Sequence, residues 1–263
     1  MRIYDEICKA LTEQKRITLA TIIATAGSTP APSESKMLLF PDEKARAIGT
    51  IGGGCLDANI IVTVRDDPSA KFLKKMDFQL DDDLGDSGLN CGGTVTVALE
   101  PLSANLLPLY QKIVALYDDG VDCCLVTQIT GNGLSRKSLF SQEGKFLYGS
   151  ELPPDADGDI RQRIIQARFP HEPVYMQAGP ENFILEFIQS QPHLIIFGGG
   201  HVGRAVSQCA SIAGFRVTVV DDRHPFANKQ RFPEAFSVLC ENFVESFKRL
   251  TITPSTFVVI VTR

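Results

Sequence analysis

The apolar positions change period along the chain, and those changes mark out elements. Over residues 3–15, Ile3, Ile7, Cys8 and Leu11 recur every three or four positions, which predicts an N-terminal helix. Residues 17–24 are β-branched and almost continuously apolar, as in a strand at the centre of its sheet. Residues 36–40 read as a second strand, and residues 46–51 lead into a run of glycines. Leu56, Ile60, Ile61 and Val64 then restore a helical period. Residues 76–80 are a short strand, and residues 94–100 alternate as a half-buried one. A helix is expected over 106–117, a strand over 122–129, and a hairpin turn at Gly131-Asn132-Gly133. Gly144 marks a turn before 146–148, a helix starts at Pro153-Pro154-Asp155 and runs to Gln166, and 174–176 pairs with 183–188. Gln189-Ser190-Gln191-Pro192 reads as a linker.

Beyond the linker the pattern is different. Residues 193–197 form a buried apolar strand, followed by Gly198-Gly199-Gly200-His201-Val202-Gly203, which fits G-x-G-x-x-G. A helix runs to Ala213, Gly214 caps it, and the next strand, 215–221, ends on Asp221, 23 residues after Gly198. Strand, glycines, helix, strand and terminal acid in that order predict a Rossmann βαβ unit, with Gly198, Gly200, Gly203 and Asp221 facing a nucleotide. Further strands are expected at 236–240 and 257–261. A full dinucleotide fold has six strands, so this domain reads as truncated after its fourth. That last strand, lacking a sequence neighbour on its outer side, is expected to pair with another segment or another chain. The fold class is therefore α/β: an N-terminal mixed α/β domain over 1–189, then a Rossmann-like, doubly wound parallel-sheet domain over 193–263.

Composition narrows the function. The 263 residues are 44% hydrophobic and 22% charged, enough apolar material for one large domain or two ordinary ones. A net charge of -5 argues against a nucleic-acid partner. No apolar run approaches the length of a membrane helix, and early acids argue against a secretory signal. The seven cysteines fit a cytoplasmic, reduced protein better than a disulfide scaffold. Neither C-x-x-C nor H-E-x-x-H occurs, so no resident metal is expected. The acidic run Asp81-Asp82-Asp83 lacks calcium-loop spacing and reads as a solvated loop.

Two glycine-rich loops carry cysteines. Gly49-Thr50-Ile51-Gly52-Gly53-Gly54-Cys55 ends at a helix start, where unpaired N–H groups suit an anion and the helix dipole favours a thiolate. Asn90-Cys91-Gly92-Gly93 precedes a strand. Loops of this kind at sheet ends can converge, so Gly52, Gly53, Gly54, Cys55, Cys91, Gly92 and Gly93 form one candidate binding set. Each loop is also explicable as a tight turn with a small packed cysteine. Cys123 and Cys124 lie in a strand and read as buried packing residues.

Four stretches together resemble the XdhC/CoxI family of xanthine dehydrogenase accessory factors. They are Gly27-Ser28-Thr29-Pro30 with Lys36-Met37; Gly49 to Leu56; Cys91-Gly92-Gly93 through Glu100-Pro101-Leu102; and His193 to Arg223. The resemblance implies a cytoplasmic, non-catalytic chaperone that binds molybdenum cofactor (molybdopterin), protects it during sulfuration and delivers it to an apo-molybdoenzyme. A cysteine desulfurase and a second copy of the chain are the other implied partners. Cys55 and Cys91 then hold or guard the metal end, thiols being soft ligands. Ala31 and Glu34 replace the family's usual arginine and glycine, and Asp57 stands where glutamate is common. Losing a cation and gaining an acid predicts a weaker anion site. Two other functions fit the residues: an NAD(P)-dependent oxidoreductase using Cys55 or Cys91 as a redox thiol, and a nucleotide-sensing scaffold. The absence of a second Rossmann half and of an acid/base pair favours the chaperone.

Overall fold

A computed structural model describes residues 3–29, 32, 35–42, 46–79, 93–131, 133–167 and 172–262. The chain divides into two compact units, Met1–Ala115 with Asp122–Ile188, and Leu116–Val121 with Gln189–Arg263.

The first unit holds two five-stranded antiparallel sheets. One contains β1 (Ile17–Ala26), β2 (Lys36–Phe40), β3 (Arg46–Gly49), β4 (Lys74–Gln79) and β5 (Thr94–Leu102), in the order β3-β2-β1-β5-β4. The other contains β6 (Cys123–Ile129), β7 (Ser135–Ser141), β8 (Phe146–Gly149), β9 (Val174–Ala178) and β10 (Glu181–Ile188), in the order β8-β7-β6-β10-β9. Helices α1 (Ile3–Thr12) and α3 (Leu107–Asp118) precede the two sheets in the chain. Helices α2 (Gly54–Asp66) and α4 (Pro154–Gln166) interrupt them after their third strands.

The helical period at 56, 60 and 64 becomes a buried stripe on α2. Leu56, Ile60 and Val64 pack on Ala20, Ile22, Met37, Val95 and Val97. On α4, Ala156, Ile160 and Ile164 cover Val126, Phe140, Phe183 and Leu185. Each fully buried Leu, Ile or Val among these contributes about 1.5–3 kcal/mol. The opposite faces of the sheets meet, with Ile23 and Ala98 against Ile184.

That stacking corrects one expectation. The alternation of β5 predicts a solvent face, yet its residues 97–100 are all buried. The face that should be wet lies under the second sheet. Glu100, only 6% exposed, is kept there by Lys137 at 2.8 Å. Lys36 and Glu186 form a second buried ion pair. A buried carboxylate without such a partner would not remain charged.

The second unit contains a parallel sheet in the order β13-β12-β11-β14, built from β11 (His193–Phe197), β12 (Arg216–Asp221), β13 (Ser237–Cys240) and β14 (Thr256–Ile260). This is the first-four-strand order of a Rossmann fold. Over β11 and β12 the sheet is covered on both faces, as doubly wound sheets are. Val206 and Ala210 of α5 (His201–Ile212) pack on Leu194, Ile196, Val217 and Val219. Phe243 of α6 (Phe243–Ser246) and Leu250 pack on Ile195, Phe197 and Val220. Among the described residues β14 pairs with β11 alone, and its Phe257, Val258 and Ile260 are exposed.

Candidate functional site

The strand register sets which loops share an end of the first sheet. Ala26 of β1 lies opposite Thr94 of β5, and Gln79 of β4 opposite the same Thr94. Met37, near the start of β2, lies opposite Gly49, the end of β3. The ends of β1, β3 and β4 and the start of β5 therefore lie at one end of this sheet.

Within loop 50–53 the glycines are needed for conformation. Gly52, Gly53 and Gly54 have φ of 146°, 74° and 56° in succession, a region that side chains disfavour. A Cβ on Gly53 would meet nothing within 4 Å, so the backbone there lies bare. The chain nevertheless uses several of its own amides. The amides of Gly52 and Gly53 donate to Thr50 Oγ1 at 3.2 and 3.0 Å. The Thr50 hydroxyl donates to Asp57 Oδ2 at 2.7 Å, and the Ile51 amide to Asp57 Oδ1 at 3.0 Å. Asp57 thus clamps the loop from the first turn of α2. What remains for a ligand are the first amides of that helix, from Gly54 and Cys55 onward, which have no partner one turn back. Cys55 is half-buried beside them.

Gly93 lies where the backbone of 26–28 comes close, since a Cβ there would stand 2.8 Å from the Ala26 carbonyl. Cys91 and Gly92 lie outside the described residues, as do Ala31, Glu34 and the acidic run 81–83. Cys123 and Cys124 are fully buried, and burial pushes the Cys123 thiol up to about 12. Such thiols pack and do not react. Among the described residues no three His, Cys, Asp or Glu side chains are grouped to hold a metal. A cavity of about 470 Å³ opens at the other end of the same sheet, lined by Arg16, Thr18, Pro41, Lys71 and Pro101 among others.

In the second unit the three fingerprint glycines do three different things. Gly198 has φ 112°, and a Cβ there would run into the Val261 carbonyl. Gly203 lets α5 approach β11, because a Cβ would sit on the Gly198 carbonyl. Gly200 faces open space.

Asp221 ends β12 as the spacing predicts, but it is 1% exposed and fully engaged. Its carboxylate accepts from Gly199 N at 2.8 Å, Arg223 N at 3.0 Å, and Arg223 Nε and Nη2, each at 2.8 Å. Four donors use the acceptor capacity of a carboxylate. The Arg223 guanidinium, then burial opposed by the backbone amides, leaves the pKa at about 2. Arg223 also lies 4.0 Å over the Phe226 ring, and Arg231 donates to the Gly199 carbonyl at 2.8 Å. Spacing and periodicity do not reveal this arginine clamp. Its only sequence signal is an arginine two residues beyond the acid.

A doubly covered parallel sheet in this strand order, with a glycine turn after its first strand, defines the second unit as a Rossmann-type domain. Sequence similarity points to one family in both units. Residues 10–67 match the XdhC and CoxI family and residues 194–263 match the XdhC Rossmann domain, so these two segments resemble that family. A Bacillus subtilis (strain 168) protein, named as a probable subunit of xanthine dehydrogenase, is 26% identical over 86% of this chain, which spans 65% of that relative. The Escherichia coli (strain K12) protein YqeB is 37% identical over 27% of the chain, which spans 14% of YqeB. The crystal structure of a Bacillus halodurans xanthine dehydrogenase superposes with a TM-score of 0.74 at 23% identity, over 98% of this chain and 74% of that one.

Proposed function

We propose that this chain is an accessory factor for molybdoenzymes of the xanthine dehydrogenase type. It binds molybdenum cofactor as cargo, shelters it during sulfuration and passes it to the apo-enzyme. The observation that carries the reading is the run of three left-handed glycines at 52–54, at the sheet end where β1 and β4 end and β5 begins.

The cofactor brings a phosphate and a dithiolene-held, oxyanionic metal. The free amides at the start of α2, from Gly54 and Cys55, suit the phosphate. The bare backbone at Gly53 leaves room for the pterin. Cys55 and Cys91 are the soft sulfur ligands of this reading, with Gly92 and Gly93 following the second thiol in the sequence. Asp57 sits among these groups, but its two oxygens are turned onto Thr50 and Ile51. A cysteine desulfurase is the sulfur donor in this reading, and the outer edge of β14 pairs with another segment or a second copy.

The open face of Gly200 favours a second ligand, a nucleotide held over Gly200 on the turn that Gly198 and Gly203 shape. NAD(P)-dependent redox chemistry is the less favoured use of that site, because Asp221 is already saturated.

The test is retention. The chain is mixed with cofactor released from a molybdoenzyme and gel-filtered, and bound pterin is read by its oxidised fluorescence. Wild type retains pterin, and Cys91→Ala loses most of it without a change in the circular dichroism spectrum. Absence of pterin from the wild-type fraction refutes the proposal.

A further inference from the structure

The two sheets of the first unit follow one plan. Each is entered from a helix, runs through three strands, a helix and two strands, and has the same spatial order. The agreement extends to single residues. Thr21 faces Lys36 across β1 and β2, and Thr127 faces Lys137 across β6 and β7. Leu19 faces Glu100, and Leu125 faces Glu186. Met37 faces Gly49, and Ser138 faces Gly149. Both of those glycines have left-handed φ, 87° and 104°, and a Cβ on either would strike the carbonyl of the corresponding lysine.

The charges then cross over. Lys36 of the first sheet pairs with Glu186 of the second, and Lys137 of the second pairs with Glu100 of the first. Lys137 also donates to Thr127 at 2.7 Å. Tyr4 of α1 and Tyr110 of α3, the two entering helices, stack at 6.3 Å. A contact in which residue i of one half meets j of the other, and j meets i, is the signature of an isologous two-fold interface.

The halves differ at their loop ends. Between the first two strands the first half has nine residues, 27–35, and the second has five, 130–134. Between the last two strands the counts are fourteen, 80–93, against two, 179–180. The connection to the inner helix has four residues in both. It continues as Gly52-Gly53-Gly54-Cys55 in one and Leu152-Pro153-Pro154-Asp155 in the other.

We propose that the first unit is one module present twice, paired with itself like a fused dimer, and that only the first copy has a ligand-binding end. The second copy is the scaffold, its equivalent end closed by minimal turns. The ligand half of this inference rests on the function proposed above, and the duplication half does not.

Two sets of full-chain variants separate the halves. Lys36→Met and Lys137→Met occupy equivalent positions, so each lowers the melting midpoint by a similar amount, about 10 °C. Reversing a pair, Lys36→Glu with Glu186→Lys, recovers more than half of the loss. A large penalty at one lysine and none at the other overturns the duplication. For the ligand end, the probe is molybdenum cofactor, counted as fluorescent pterin per chain. Wild type binds a single equivalent. Cys55→Asp gives the first copy the residue of the second with the left-handed glycines kept, and Gly53→Pro with Gly54→Pro exchanges the turn itself, which must then abandon its positive φ; each cuts retention about tenfold or more. Pro153→Gly with Pro154→Gly leaves retention unchanged. Two equivalents per chain, or equal losses from both exchanges, overturn the one-sided site. No pterin on wild type refutes the proposed function and with it the ligand half, while the lysine variants still decide the duplication.

Discussion

Replacing Asp221 by asparagine tests whether the acid at the end of β12 serves the fold in place of a ribose. Its pKa falls from 3.8 to about 2, led by the hydrogen bonds from Arg223. At about 1.36 kcal/mol per unit, ionised Asp221 favours the folded state by about 2 kcal/mol. A carboxyl whose folded pKa is depressed stabilises above its unfolded pKa, and that contribution is lost as pH falls from about 4 toward 2. Asp221→Asn should therefore cost about 2–3 kcal/mol at pH 7, because Arg223 and the Gly199 amide lose a charged acceptor. The gap between wild type and variant should narrow as pH drops through 4.

With two compact units, the transition must be assigned to the second one. Urea titrations at several pH values, followed by amide exchange of β11 and β12, would do that. A gap that stays constant from pH 7 to pH 3 would show that the carboxylate charge contributes nothing, and the account of the clamp would be wrong.

The other expectations concern the same turn. Arg223→Ala should release the Asp221 oxygens for a ribose diol, so NAD binding measured by calorimetry should strengthen about tenfold relative to wild type; no gain would mean the acid is not the barrier. Gly203→Ala places a methyl group on the Gly198 carbonyl, and should destabilise the second unit by about 1–3 kcal/mol. Gly200→Ala meets open space, and should leave thermal stability within about 0.5 kcal/mol while abolishing any nucleotide binding. Equal stability losses at the two glycines would contradict their assigned roles.

Much of the fold was legible because each element has one dominant period. The stripe at 56, 60 and 64 and the continuous run at 17–24 have single structural readings, and β1 is indeed the central strand of its sheet. β5 misled because alternation reports residue type, whereas burial depends on what covers each face. Glu100 looks solvent-facing until Lys137, 37 positions on, is placed beside it. The module pairing was hidden for a related reason. Its retained residues are sparse: Leu-x-Thr at 19–21 and 125–127, a lysine, a glycine followed by Thr50 or Ser150, and Leu-Glu at 99–100 and 185–186. Loops of unequal length separate them, so no fixed repeat period survives. The Asp221 clamp was missed because spacing locates an acid but not the donors that saturate it.

The second copy also bears on why the glycines at 52–54 exist. Ordering a glycine costs roughly 0.5–1 kcal/mol more than ordering alanine, so three in a row cost about 2–3 kcal/mol. The same connection, of the same length and feeding an equivalent helix, is made at 150–153 with Leu152 buried and with prolines at Pro153 and Pro154. Proline is suited to a helix start and lowers the entropy lost on folding. A turn of the same length with a lower entropic cost therefore exists within the same molecule. Folding alone gives no reason for the first copy to depart from it, and the bare backbone at Gly53 is what the departure gains. Higher stability with intact pterin retention in the Gly53→Pro, Gly54→Pro variant would show that these glycines serve no ligand.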